Sequence, residues 1–536
     1  MEKPSMIRFR VSENPTKRWV WTSSRRWESE DDWIEPITHP ALESTLITEG
    51  VRAAVIIRER SANVDVTYPW AGPSRTVEVS PEDYHAVLDD AKHWHLDRFI
   101  LEISPDQGVR ASSGVYNVAP VYLTATDHTL TGSWNLTDLA RGCTPEDVIR
   151  YMVARTLSYF QRYSNRTHFR HIFHLTERST AYLQNGDFRI EYPDDAQHAE
   201  PRPIREGADV VDGLTVLLES IIQERVLEPA ICGLTLSGGM DSANVALTLG
   251  RLHPGAIAGS AILVAGAAGE QQRRRRRELA RLAHLKSDIT TPAMELPPLS
   301  AGSAILAGNS LDFDEEGFSE AVGHLIDLMV DEGIKVSFGG TGGDEMLALP
   351  PEERDFSGDL EDLTLPVWLT ATARDELLSA ESDIAPAAII NEVTLAGFAC
   401  HNPLYIQRGV WPVEPLASPA AIRFGEWLPP EWRRRKRIFR DRLNRAGASN
   451  EVVNPRLSEN LGGLMNLGVY RNCLPLLSRF LRTDLLLGQL GVVNVDRLRL
   501  AMEQASRSGE HQVDYRLYPV VATEVRLRHL AGLMTI

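Results

Sequence analysis

The chain has 536 residues, 43% of them hydrophobic and 24% charged, and a formal net charge of −17 at pH 7. That length suggests about two to four soluble globular domains. The acidic balance argues against broad electrostatic binding to nucleic acid or to acidic membranes. Four cysteines, Cys143, Cys232, Cys400 and Cys473, fall at no metal-ligand or redox spacing. Met1–Met6 carries no apolar signal core and no later run is long enough to span a bilayer, so a cytoplasmic protein is expected.

To about residue 205 the chain is rich in short alternating runs: Val51–Ile57, Phe99–Ile103, Val115–Thr124, Arg170–Leu175 and Phe188–Tyr192. Turn residues separate them, which predicts antiparallel sheets. The polar, proline-rich stretch through Pro193-Asp194-Asp195 and Glu200-Pro201-Arg202-Pro203 reads as a linker. Next comes a helix with Leu214, Leu217, Leu218, Ile221 and Ile222 on one face, stopped by Pro229. Then follow the strand Ile231–Leu236, an apolar run Ala261–Ala265, a long helix from about Glu270, a helix ending near Val330 and a third strand, Ile334–Phe338. Strands alternating with helices predict a parallel sheet with its ligand at the carboxyl ends of the strands. Beyond about residue 365 the pattern is mostly helical.

Ser237-Gly238-Gly239-Met240-Asp241-Ser242 lies between the first of these strands and a helix start. Two glycines let backbone N–H groups converge on an anion, the helix N-terminus adds partial positive charge, and the serine hydroxyls donate. Asp241 belongs in such a cradle only beside a cation, and Mg²⁺ is commonly held by one or two carboxylates together with phosphate oxygens. Directly after the third strand stands Gly339-Gly340-Thr341-Gly342-Gly343-Asp344-Glu345, a second close backbone approach followed by paired acids. A third segment, Leu428-Pro429-Pro430 and then Lys436-Arg437-Ile438-Phe439-Arg440, places a lysine in a basic stretch.

In order and composition these three motifs resemble the asparagine synthetase-like ATP-pyrophosphatase family, which includes β-lactam synthetases and lasso-peptide macrolactam cyclases. The resemblance runs from about residue 205 to 445, with a less specific tail through Asn454-Pro455-Arg456 and Glu459-Asn460. It implies cleavage of ATP between the α- and β-phosphates to give an acyl-adenylate. Ser237, Gly238, Gly239 and Ser242 would hold the pyrophosphate, and Asp241 and Asp344 the Mg²⁺. Lys436 would reach the α-phosphate and developing oxyanion, and the backbone of Leu236, Val264 and Gly340 would lie against adenine.

The first half is similar to the family's glutaminase domain through Gly114-Val115-Tyr116-Asn117-Val118-Ala119-Pro120-Val121-Tyr122. Position 2, where the family's nucleophilic cysteine stands, is Glu2. The expected architecture is therefore a glutaminase-like antiparallel β-sandwich of the N-terminal-nucleophile type without its nucleophile (1–205). It is joined to an α/β parallel-sheet ATP-pyrophosphatase domain with a helical tail (206–536).

Thr341 stands where the relatives carry Glu or Tyr, and threonine cannot act as a base near neutral pH. Together with Gly409–Ala417, this makes the chain most similar to the lasso-peptide cyclases. They join a free N-terminal amine to an adenylated Asp or Glu side chain, in a wide cavity rather than an amino-acid slot. A peptide substrate is implied, with a leader-binding protein and a leader peptidase as possible partners. A small-ring β-lactam synthetase, an ammonia-dependent asparagine synthetase and a non-catalytic ATP- or peptide-binding module are the alternatives.

Four lesser features complete the reading. Arg273–Arg277 reads as a solvated helix face. Glu270 is a minor candidate for a ribose or loop contact, and Glu392 and Tyr405 for taking the amine's proton. His168, His171 and His174 are split between the faces of an alternating strand, Phe169–Leu175, rather than gathered on a metal.

Overall fold

The computed structural model describes residues 7–62, 75–349, 365–380, 383–510 and 513–534. Glu2 lies outside these residues. The first part of the chain forms two seven-stranded sheets. One is antiparallel throughout, in the order Phe173–Leu175, Val121–Thr126, Thr129–Ser133, Arg8–Ser12, Asp32–Glu35, Trp27–Ser29, Val20–Trp21. The other runs Asp187–Glu191, Thr180–Gln184, Gly108–Ser113, Arg98–Ser104, Arg52–Glu59, Leu42–Glu49, Arg75–Glu78, with only the last pairing parallel.

Alternation explains how the layers stack. Along Arg98–Ser104, Phe99, Leu101 and Ile103 enter the core shared with the first sheet, where the Phe99 and Phe9 rings stack with centroids 6.0 Å apart. Ile100 points the other way, onto Tyr84 and Leu88 of helix Pro81–Lys92. The hairpin joining Thr180–Gln184 to Asp187–Glu191 turns on Asn185-Gly186, both at positive φ, as a two-residue turn between twisted strands requires.

Two expected strands are shorter than their sequence patterns. Only Val121–Thr126 of the Val115 run is extended, because the buried Asp97 carboxylate accepts the backbone N–H groups of Asn117 and Val118 and holds that segment in a turn. Only Phe173–Leu175 of the Arg170 run is a strand, because the Thr167 hydroxyl bonds the Ile172 carbonyl at 2.7 Å. The three histidines are divided as expected, though by this turn and not by one continuous strand. His168 and His174 are both buried and His171 is exposed. Burial pushes both buried imidazoles down to about 4. Among the described residues, no group of three or more His, Cys, Asp or Glu side chains could hold a metal.

The second half is built on a five-stranded parallel sheet in the order Ser287–Pro292, Ala258–Leu263, Cys232–Thr235, Val336–Phe338, Trp411–Val413. The central three strands match the sequence reading, while the two edge strands were not foreseen. Ser287–Pro292 has one aliphatic residue, and Trp411–Val413 contains a proline, which an edge strand tolerates. Helices Val210–Gln223, Met240–Leu252, Gly266–Leu282 and Ser319–Asp331 flank the sheet, and further helices follow to Leu530.

The linker is pinned rather than free: Ala196 N–H donates to Ala387 O and Arg202 N–H to Trp427 O. The sandwich meets the parallel sheet through Glu59, which accepts the Trp411 indole N–H at 2.7 Å and pairs with the buried Arg225 at 3.1 Å. Among the described residues no helix is long and apolar enough to cross a membrane.

Candidate functional site

The site lies at the carboxyl ends of the three central strands. Leu236 follows the middle one, Val264 its neighbour on one side, and Gly339-Gly340 its neighbour on the other. Gly238 adopts φ +97, which swings the chain from the strand into helix Met240–Leu252 with Gly239 as its N-cap. Ser237 Oγ accepts the Gly239 N–H and lies 3.1 Å from Ser242 Oγ, so both hydroxyls face the same turn. Gly340 must lack a side chain, because a Cβ there would sit 2.5 Å from Ser242 N. The two glycine loops are thus in direct contact, and Asp241 and Asp344 occupy the first turns of facing helices.

Lys436 bridges them. Its Nζ donates to both Asp241 carboxylate oxygens at 2.7 Å and lies 2.8 Å from Asp344 Oδ1. Three side chains separated by up to about two hundred positions in sequence therefore meet at one point. Burial works against the ammonium, but Asp241 and Asp344 outweigh it and hold Lys436 above the ordinary lysine range. Asp241 is also raised, by burial first and by Asp344 and Glu345 against the opposing effect of Lys436. Two carboxylates around one ammonium leave excess negative charge, and hard oxygen donors on facing turns suit Mg²⁺ completed by phosphate oxygens. The residues present fit that ion.

The backbone at Lys436 is unusual. Arg435 and Lys436 have φ of 49° and 53°, consecutive left-handed residues that are not glycine. Arg440 stabilises the turn by donating to the Arg435 carbonyl at 2.7 Å. Arg442, buried in the same helix (Arg437–Arg445), donates to Asn244 O at 2.6 Å and Thr248 Oγ1 at 2.7 Å, which ties Lys436 to the helix carrying Asp241. Burial lowers Arg442 to about 10.

Other functional positions were not legible as such. Gln272, 2% exposed, donates to Ser237 O and Ile262 O and accepts the Val264 N–H, stapling two strand ends beside the first glycine loop. Its only sequence signal is a glutamine pair entering a helix after an apolar strand. The arginine run is a correction to the solvated-face expectation. Arg275 and Arg276 are each 1% exposed, Arg275 paired with Glu459 at 2.6 Å and Arg276 with Asp288 and the Ser260 carbonyl. Arg273, Arg274 and Arg277 are the exposed members. Gln271 bonds backbone at Arg456 and Leu457, so the tail motif docks on this helix. Glu270 is exposed one turn before Arg274.

Glu414 was read only as part of a segment. Its carboxylate accepts the Thr341 N–H at 2.8 Å and fills the space where a Gly339 Cβ would lie, at 2.1 Å from Oε1. Burial, opposed by the bonds from Thr341, pushes it up to about 8. The sign follows: the folded state keeps a proton that the unfolded chain releases near its ordinary 4.5, so this stabilisation declines as pH rises from about 4.5 and is gone above about 8. The slope approaches about 1.4 kcal/mol per pH unit within that window. Glu414→Gln, which mimics the protonated form, is expected to flatten the fall of the melting temperature between pH 6 and 8.5. An unchanged profile would remove Glu414 as its source.

Tyr405 bonds Thr235 at 3.5 Å beneath the loop, whereas Glu392 lines a large cavity. That cavity, about 770 Å³, opens beside Thr341 and Glu345. Segment 156–163 of the first half walls it together with residues 313–318, helix Glu392–Ile406 and helix Leu517–Leu530. In the first half, the Cys143 thiol is pushed up to about 11 by burial and by Asp147, which makes it a poor nucleophile. No family model matches this chain, and no curated protein matches it in sequence.

Proposed function

We propose that this protein is an ATP-dependent, AMP-forming amide ligase. Its carboxylate substrate is an Asp or Glu side chain of a peptide, which it closes onto that peptide's amine as a macrolactam cyclase. The observation that carries the reading is the ammonium of Lys436 held 2.7–2.8 Å from both Asp241 and Asp344 beside a glycine-rich anion loop. A carboxylate oxygen attacks the α-phosphorus of ATP and pyrophosphate leaves. The amine then attacks the acyl carbon, AMP departs, and the amine's proton passes to solvent or to a carboxylate at the cavity mouth.

The loop N–H groups and the Ser237 and Ser242 hydroxyls orient the departing phosphates. Asp241 and Asp344 would hold Mg²⁺, which when bound would neutralise charge on the pyrophosphate. Lys436 turns from the carboxylates to the phosphate that brings its own negative charge, and there stabilises the oxyanion. The volume of about 770 Å³ favours a peptide over a single amino acid.

The test is pyrophosphate and AMP release from MgATP, with product mass. One substrate is a peptide bearing an N-terminal glycine and an acidic residue near position eight; the other is aspartate with ammonia. Release coupled to loss of water from the peptide is expected. Turnover of aspartate alone would replace the cyclase reading with an asparagine synthetase.

A further inference from the structure

The cavity beside the adenylation site has a chemical character of its own. Asp314, Glu315, Glu316, Glu345 and Glu392 line it, against Arg162 and Arg526 as its only arginines among the described residues and His401 as its histidine. Two arginines do not balance five carboxylates. Arg526 lies 3.4 Å from Glu315 and faces the Phe313 ring, and Arg162 stacks over Phe160 at 4.3 Å. Glu316 meets His401 at 3.3 Å, and its other oxygen has no partner among the described residues.

Aromatic rings form much of the remaining wall: Tyr159, Phe160, Phe313, Phe318, Tyr515 and Tyr518. Carboxylates interleaved with ring faces are the surroundings in which a guanidinium or ammonium is held by charge and by cation–π attraction together. The wall already accommodates two such groups of its own. Thr394, 2% exposed, belongs to the same wall, and its buried hydroxyl has no partner among the described residues. Behind Glu315 a second cavity of about 270 Å³ carries Asp312 and Glu320, with Asp327 paired to Arg408 at 2.8 Å, so negative charge continues beyond the first chamber.

We propose that this cavity is a cation-recognising subsite, and that the peptide substrate carries an arginine or lysine side chain, distinct from the reacting amine, which docks between the acidic segment Asp314–Glu316 and the aromatic wall. The proposal rests on the amide-ligase reading for its substrate, but not for its chemistry of recognition. An anionic or apolar segment of equal size would desolvate this net negative charge without supplying a counter-charge. A basic side chain pairs them, and its aliphatic stem covers ring surface.

The test uses the full chain and three ten-residue peptides. All have an N-terminal glycine and an aspartate at position eight, and they differ only in carrying arginine, citrulline or glutamate at three central positions. Calorimetry without nucleotide at low salt is expected to show the arginine peptide binding at least tenfold more tightly than its neutral citrulline isostere. The glutamate peptide is expected to bind most weakly. Because the whole chain is acidic, the preference must be local. Glu316→Lys with Glu392→Lys should abolish it, and the single change Glu316→Gln should reduce it severalfold. Glu82→Lys with Glu146→Lys, two exposed positions that do not line the cavity, should leave it in place.

Equal binding of arginine and citrulline peptides, or equal loss in the remote pair, overturns the subsite. Pyrophosphate release is read in parallel with MgATP. Release without charge preference leaves the ligase reading standing and removes the subsite. Charge-selective binding without release from any peptide retains the subsite and removes the ligase reading.

Discussion

Lys436→Met is expected to lower pyrophosphate release by on the order of 10²–10³-fold, the range for losing one preorganised charge that acts on the transition state. The surroundings of this residue show what the fold spends to keep it. Arg435 and Lys436 both sit in the left-handed region, at about 1–2 kcal/mol each for residues with a Cβ. Lys436 is also the N-cap of helix Arg437–Arg445, where a cation opposes the helix dipole. Its ammonium is largely withdrawn from water, with 16% of the side chain exposed. Three unfavourable features at one position persist only because Asp241, Asp344 and the Arg440 anchor over-determine it.

Methionine preserves the length of the stem and removes only the charge, so the fold is expected to survive with a lowered melting temperature. Lys436→Arg should be nearly as inactive, because a planar guanidinium cannot replace a compact ammonium held at 2.7–2.8 Å by two carboxylates. The decisive split is in kcat, with KM for ATP changed little. Wild-type turnover in Lys436→Met would void the assigned role.

How much of this was written in the sequence depends on how local each signal is. The central parallel strands were legible because each is a short apolar run followed by glycines, and the loops were legible because backbone approach demands glycine in a fixed order. The edge strands Ser287–Pro292 and Trp411–Val413 were not, since an edge needs little apolar surface and tolerates proline. Asp241, Asp344 and Lys436 could be singled out one by one, yet nothing local requires that one lysine touch both acids; that follows from how the strand order brings the loops together.

Arg275 and Arg276 defeated the reading for a different reason. Five consecutive cations look solvated, but a helix turns each successive residue by about 100°. The two that face inward met Glu459 and Asp288 from segments far apart in the chain. Glu414 and Gln272 are single polar residues whose roles come wholly from the backbone groups that they reach.

Asp241→Asn and Asp344→Asn are both expected to abolish pyrophosphate release, but to part company in stability. The Asp241 side chain is 22% exposed, bonds Lys436 through both oxygens and packs against Gly343, where a Cβ would lie 2.6 Å from its Oδ1. An asparagine there turns an N–H₂ towards the ammonium, so one of two acceptors becomes a donor facing a donor. The Asp344 side chain is 78% exposed, and its replacement should change stability by no more than about 0.5 kcal/mol.

Thermal melts without nucleotide should therefore show a clear drop for Asp241→Asn and almost none for Asp344→Asn. With ATP present, adding Mg²⁺ should raise the wild-type melting temperature, because a ligand bound only to the folded state adds about 2.7 kcal/mol at a hundredfold excess over its Kd. That Mg²⁺-dependent increment should vanish in both variants, including the one whose fold is undisturbed. Asp344→Asn is thus the sharper instrument: an intact increment there would mean that the ion, if bound at all, is held elsewhere, and Asp344 would be left as a partner of Lys436 alone.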